Sequence, residues 1–338
     1  MQKLTFFTTH LLVGAWLTMV TPAAHASCAS STCFLVTGTQ DGIANPGQVI
    51  VDLSYRYISM DRAQRGSRST SEALTAGIDF ETGEIEADHH RELRTLNELA
   101  QLDISYGLTP KFAMSVSIPF MNNRYHEHDI LANHPPLGLH EHYARERISG
   151  MGDVRLTGKY ALHTRLHHLW VAGLGIKFPT GEYKLRNSRG DINEPTLMPG
   201  TGSWDGILSL HYTYQIQPRV WDTFFSGSYQ ITTANSLEYK MGNILLLNTG
   251  SHYRFTAHAR EFTASLQINL RQTPRDEFHG QGVPNTGGLW VYLTPGITTQ
   301  ATTSTALYTH LQLPLYQDVN ETNLVPSYGL IVGISHSF

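Results

Sequence analysis

Apolar and polar residues alternate with period two along most of this chain. Side chains on a β-strand point to opposite faces in turn, so a stretch with one apolar and one polar parity marks a strand between two unlike environments. From Val49 the odd positions are Val49, Val51, Leu53, Tyr55 and Tyr57, set against Gln48, Asp52, Ser54 and Arg56. Ala100, Leu102, Ile104, Tyr106 and Leu108 face away from Gln101, Asp103 and Ser105. Phe112, Met114, Val116, Ile118 and Phe120 face away from Ala113, Ser115 and Ser117. The pattern recurs from Val154 to Leu162, Trp170 to Phe178, Leu208 to Ile216, Trp221 to Ile231 and Phe262 to Leu270. It is less clean over 243–255, 288–298 and 303–313. The last stretch places Leu324, Pro326, Tyr328, Leu330, Val332, Ile334, His336 and Phe338 opposite a face of mostly Ser and Gly. The reading is about twelve strands, an even number.

The connections alternate in length. Short ones fall at 107–111, 163–168, 217–220, 257–261 and 300–302, and long ones at 59–97, 121–151, 179–203, 232–242, 272–287 and 314–323. Outer-membrane barrels have short periplasmic turns and long outer loops, so both termini are expected in the periplasm. The start of the chain fits export. Met1-Gln2-Lys3 precedes an apolar run to Val20 and an Ala24-His25-Ala26 cleavage site. The expected organisation is a cleaved signal peptide over 1–26, a periplasmic N-terminal segment over 27–47 and a barrel over 48–338. The aromatic Phe338, with Tyr328 and other apolar residues at alternate positions before it, reads as a C-terminal signal for the outer-membrane assembly machinery.

Composition narrows the class. Only 15 % of the 338 residues are charged and 41 % are hydrophobic, with 29 Gly, 16 Tyr and 13 Phe. Soluble domains carry about 25 % charged residues, and disorder needs high charge with few aromatics. A net charge of −4 gives no basis for nucleic-acid binding. After the first 20 residues no apolar run is long enough for a membrane helix. A soluble β-sandwich also alternates, but its strands are shorter and its apolar face forms a core. The export signal, the strand lengths and Phe338 favour an all-β, antiparallel up-and-down transmembrane barrel, with outer-membrane lipid as its surroundings.

Several stretches then resemble a known family. They are Gly150-Met151-Gly152-Asp153-Val154-Arg155-Leu156-Thr157-Gly158-Lys159-Tyr160, Gly175-Ile176-Lys177-Phe178-Pro179-Thr180-Gly181-Glu182-Tyr183, Met198-Pro199-Gly200-Thr201-Gly202-Ser203-Trp204-Asp205 and Val291-Tyr292-Leu293-Thr294-Pro295-Gly296. Together they are similar to the bacterial outer-membrane family named for the MetA pathway of phenol degradation. The resemblance implies an outer-membrane barrel of transporter type. It does not imply a phenol reaction or fix a cargo.

The polar parity collects Asp52, Arg56, Asp103, Asp153, Arg155, Lys159, Lys177, Arg254 and Arg271. On the lipid face a charge would cost about 2–4 kcal/mol at mid-membrane, so these residues are expected to face the lumen. There they either form a paired network filling a narrow barrel or line a water-filled path and set its ion preference. Asp153, Arg155 and Lys159 share one strand face. Histidine is abundant, 18 in all. His126 and His128, and His140 and His142, could each offer two imidazoles to a borderline metal, and His89 and His90 are adjacent. The plainer reading is a solvated, pH-sensitive loop. Cys28 and Cys33 suit a disulfide in an oxidising compartment, against a metal or redox role.

No cofactor motif is present. The adjacent pairs Ser251-His252 and His336-Ser337 point to opposite faces, which gives no nucleophile with a base. The functional expectation is a channel or transporter for passive passage of small solutes, small hydrophobic or aromatic compounds among them. A metal-handling or structural barrel is the alternative, and an outer-membrane hydrolase ranks lower.

Overall fold

The computed structural model describes residues 43–134, 138–187 and 190–338. The signal peptide, the cleavage site after Ala26 and Cys28 and Cys33 lie outside them. We number the barrel strands β1 (Val49–Gly66), β2 (Glu84–Thr109), β3 (Phe112–His134), β4 (Gly138–Gly150, resuming as Arg155–Thr164), β5 (His168–Lys177), β6 (Asp205–Gln217), β7 (Trp221–Ile231), β8 (Ile244–Ala257), β9 (Arg260–Thr273) and β10 (Gly288–Gln300). The remaining strand, Thr305–Ser337, runs 33 residues and folds back on itself. Its first arm, 305–319, pairs with β10, while its second, 322–337, pairs with β1. The Ser337 amide donates to the Ser304 carbonyl at 2.9 Å, and Thr305 Oγ1 lies 2.8 Å from His336 Nδ1. The fold-back therefore falls at Asn320-Glu321, where Glu321 has φ +46°. These arms are β11 and β12.

Each strand pairs antiparallel with its chain neighbours, and β1 pairs with both β2 and β12. The sheet closes with twelve strands and no edge. Closure is what a bilayer demands, because an open edge would leave backbone groups without partners in lipid. No helix among the described residues is long and apolar enough to cross a membrane; the crossing is made by strands.

The apolar parity faces outward. Leu53, Ile104, Met114, Leu162, Leu174, Ile176, Leu208, Phe225, Leu266, Ile268, Leu330, Val332 and Ile334 are all exposed. Towards the short turns this band ends in Tyr106, Tyr160, Trp170, Trp221 and Tyr253, and towards the other end in Trp204, Tyr229 and Tyr328, the interfacial girdles of a membrane barrel. Tyr328 and Phe338 are ten residues apart on β12 and its end. At ~3.4 Å per residue and ~40° of tilt they span roughly 26 Å of membrane normal, close to the ~25 Å apolar band of such barrels. Phe338 donates its amide to the Val49 carbonyl at 2.9 Å, so the chain end is stitched to β1. The segment just before β1 is stitched too. Gly47 N donates to Gly107 O at 2.8 Å, and a Cβ on Gly107 would lie 2.0 Å from the Asn45 carbonyl oxygen, so only glycine admits this segment.

The long connections depart from expectation. Instead of loops at 59–97 and 121–151, β1, β2, β3 and β4 run on beyond the membrane band, and Ala73–Asp79 adds to β2 as a further strand. The 314–323 connection is likewise strand up to its two-residue turn. Above the membrane, water lies outside as well as inside, so these strands need no apolar parity and show none. The less regular alternation of β10 also has a cause. Trp290 and Tyr292 point inward and pack with Ile58, Met60, Leu99, Val319, Leu324 and Val325 in an apolar cluster inside the outer half of the barrel.

Candidate functional site

The lumen is crossed near its outer end by the connection 178–204, which enters the barrel rather than standing above it. Its 3-10 turn Pro195–Leu197 is buried throughout, and Met198 is 4 % exposed. The stretches that carried the family resemblance hold it there. Lys177, the last residue of β5, faces Asp205, the first of β6, across the ladder. Its Nζ lies 2.9 Å from Asp205 Oδ2 and 3.0 Å from Asp153 Oδ2, and all three side chains are almost fully buried. Asp153 also accepts hydrogen bonds from the Gly181 amide at 3.0 Å and the Thr201 amide at 2.9 Å. Asp205 accepts from Gln230 Nε2 at 2.7 Å and Ser203 Oγ at 2.9 Å. Both ends of the connection are thus tied to one ion triad. Gly181 and Gly200 meet backbone to backbone: a Cβ on Gly200 would lie 2.4 Å from the Gly181 carbonyl carbon.

Beneath this plug lies a cavity of about 130 Å³ in which charged and apolar side chains are interleaved. Arg56 sits beside Leu99 and Arg271 beside Leu246 in the strand registers, and Arg155, Lys177, Asp153, Asp205, Asp276, Ile207 and Ile244 complete much of the lining. Arg271 is 3 % exposed, and its guanidinium lies 5.3 Å from the Trp290 ring centroid, a cation–π contact that fixes its direction. Lys177 is held by two carboxylates and Asp276 also lines the cavity, so the three arginines stand among acidic as well as apolar side chains. Towards the periplasm the interior is filled by hydrogen-bonded polar groups. Asn269 Nδ2 donates to Asn248 Oδ1 at 3.0 Å and Thr294 Oγ1 to Asn269 Oδ1 at 2.6 Å. Tyr308 donates to Asp52 at 2.7 Å, and Gln101 to Asp103 at 2.8 Å. At the inner mouth Asp222 pairs with Arg254 at 2.6 Å and His252 at 2.9 Å beside a vestibule of about 600 Å³.

The sequence candidates divide accordingly. Arg56, Asp153, Arg155, Lys177 and Arg271 line the cavity. Asp52 and Asp103 are buried in the polar filling, and Arg254 belongs to the inner vestibule. Lys159 lies on the same strand as Arg155, nearer the periplasm and outside the cavity lining. Reasoning from the sequence missed Asp205, Thr201, Ser203 and Gln230, although the first three sit in the quoted Pro199–Asp205 stretch. Neither Ser-His pair meets. Ser251 accepts from Trp221 Nε1 at 2.7 Å while His252 binds Asp222, and Ser337 contacts Gln48 while His336 contacts Thr305.

The histidines bring the main correction. His126 and His128 are not in a solvated loop: they lie on β3 and are 1 % and 8 % exposed. They face His90 and Glu92 of β2, with Thr95 Oγ1 2.9 Å from His126 Nδ1. The side chains of His140 and His142 lie outside the described residues. Burial alone would lower the basicity of His90, but Glu194 and Glu92 carry it up to about 9. Burial lowers His126, whose ring has less compensating charge. The adjacent His89-His90 was visible in the sequence. That Glu92, two residues on, shares the inward face of His90 follows once this segment is known to be strand.

A closed twelve-stranded barrel with a lipid-compatible band outside and paired polar groups within is a transmembrane barrel of the bacterial outer membrane. The model of the family described as "Putative MetA-pathway of phenol degradation" matches residues 66–332, and the chain belongs to that family. No curated protein matches it. Among solved structures it is similar to the COG4313 outer membrane channel from Pseudomonas putida F1, with 13 % identity, a TM-score of 0.59 and coverage of 90 % of this chain and 100 % of the other. A Pseudomonas aeruginosa FadL homologue matches at 12 % identity and a TM-score of 0.42 over 87 % and 92 % of the two chains. The CymD monoaromatic hydrocarbon channel matches at 9 % identity and 0.43 over 87 % and 88 %.

Proposed function

We propose that the protein is an outer-membrane channel for passive passage of small solutes of about one ring in size, with the arginine-lined cavity as its narrow point. The carrying observation is the cavity itself. Its ~130 Å³ is close to the ~150 Å³ that takes up a benzene molecule in an apolar protein interior. Apolar side chains interleaved with three arginines suit a small aromatic or hydrophobic body with a hydroxyl or carboxylate end. The buried Lys177–Asp153–Asp205 triad supports a narrow, selective path rather than a wide pore, because it holds the 178–204 connection inside the lumen. The similar COG4313 protein is an outer membrane channel, which agrees with this reading.

Proteoliposomes containing the mature chain test it. Phenol and benzoate are expected to enter faster than in protein-free vesicles, and a disaccharide is expected to stay out. Entry of all three at similar rates would contradict the size limit. No protein-dependent entry by a correctly folded barrel would contradict the channel.

A further inference from the structure

Above the plug, the outer extension encloses a second chamber of about 480 Å³ whose walls are rich in imidazoles and carboxylates. β2 supplies His90, β3 supplies His126 and His128, and the 178–204 connection supplies Glu194, while Glu92 of β2 lies against His90 and His126 just outside this lining. His90 Nε2 lies 3.1 Å from Glu92 Oε1, 3.3 Å from Glu194 Oε1 and 2.8 Å from Thr75 Oγ1. One ring nitrogen thus faces three oxygens, while its single hydrogen can serve only one of them well. His126 Nδ1 lies 3.3 Å from Glu92 Oε2. His126 Nε2, on a side chain 1 % exposed, has no hydrogen-bond partner among the described residues. The donor atoms of His90, Glu92 and His126 all fall within 4.8 Å of one another.

This is a donor set for a borderline divalent metal ion. Imidazole nitrogens and carboxylates bind Zn²⁺ at ~2.0–2.2 Å, and tetrahedral ligands at that distance sit roughly 3.3 Å apart. The spacings of 3.1 and 3.3 Å around Glu92 match that value. In this set the donor atom of His126 is Nδ1, which lies against Glu92 and 2.9 Å from Thr95 Oγ1. The chamber walls also carry Asp79, Glu86 and Glu146, a negative field that favours entry of a cation from outside. The plainer account is an ion-pair knot with His90 carrying a shared proton.

We propose that His90, Glu92 and His126 bind one Zn²⁺-class ion in the outer chamber, with Glu194 within reach as a further ligand. Through Glu194 the ion would join β2 and β3 to the connection that plugs the lumen, so occupancy would stiffen the plug. The purified full-length mature protein, stripped with chelator and then dialysed, is titrated with Zn²⁺ by calorimetry. One equivalent is expected to bind, with affinity falling at least tenfold in both Glu92→Gln and His126→Ala and unchanged in His279→Ala, an outer-loop histidine paired with Glu238. No stoichiometric binding, or binding that survives both substitutions, would overturn the site, the latter indicating only adventitious capture by exposed histidines. Folding of each variant is checked by its heat-dependent shift on gels. Should the variants fail to fold, Co²⁺ added to the unaltered chain decides. Intense visible bands of a low-coordinate nitrogen–oxygen site are expected, and a spectrum of hydrated Co²⁺ alone would overturn the proposal.

Discussion

The membrane wall and the outer extension are built from the same continuous strands, yet they follow different rules. In the wall, lipid outside and polar groups inside force strict alternation: Leu174 stands 68 % exposed in mid-strand, while Lys177 on the same strand is 2 % exposed within its triad. In the extension water lies outside, so the outer face tolerates charge. The inner face there buries Arg124, His126 and His90 alongside Thr95, Asn97 and Asn122. Alternation therefore reports the solvent beyond the wall rather than the presence of a strand.

That difference can be broken or sharpened in several ways. The largest effect is expected at the triad. Lys177→Met leaves two buried carboxylates without their cation, a change that costs about 3–5 kcal/mol when one partner of a buried pair is removed. The gel-shift melting midpoint should fall strongly. Lys240→Met, which breaks the half-exposed pair with Glu277 in the outer loops, should change stability by ~1 kcal/mol or less. Equal losses would show that the triad is not what anchors the plug.

The next contrast concerns the outer face. Leu174→Arg places a cation against lipid and should cost about 2–4 kcal/mol. Tyr143→Arg, on the extension and 51 % exposed, should stay within ~0.5 kcal/mol in the same refolding titration. A smaller effect on folding and a larger one on conduction is expected from Gly200→Val. Its side chain has no room against Gly181, so the barrel should still form while the 178–204 connection is displaced and single-channel conductance rises. Conductance equal to that of the unaltered chain would argue against this connection as the plug.

The sequence was most legible where physics left it least choice. All twelve wall strands were readable, and most residues expected to face lipid do so, because one misplaced charge there is so costly; Leu324, expected on that face, is instead buried in the inner apolar cluster. Strand ends were not readable. The parity signal stops at the membrane surface although hydrogen bonding continues, so 59–97 and 121–151 looked like connections. The site was half legible. Lys177 and Asp153 stood out as charges on a polar parity, and Pro199–Asp205 stood out as a motif. Nothing in spacing alone brings Asp205 to Lys177, since that contact depends on the strand register. His126 and His128 looked like loop residues for the same reason that β3 looked short.

The central claim is that solute and ion paths share the cavity lined by Arg56, Arg155 and Arg271. The most direct test is the reversal potential of single channels in a planar bilayer under a salt gradient, for the unaltered chain, Arg155→Glu and Lys159→Glu. Arg155→Glu should shift selectivity towards cations, while Lys159→Glu, outside the cavity lining, should shift it little. An unchanged reversal potential in Arg155→Glu, with channels still present, would contradict the account.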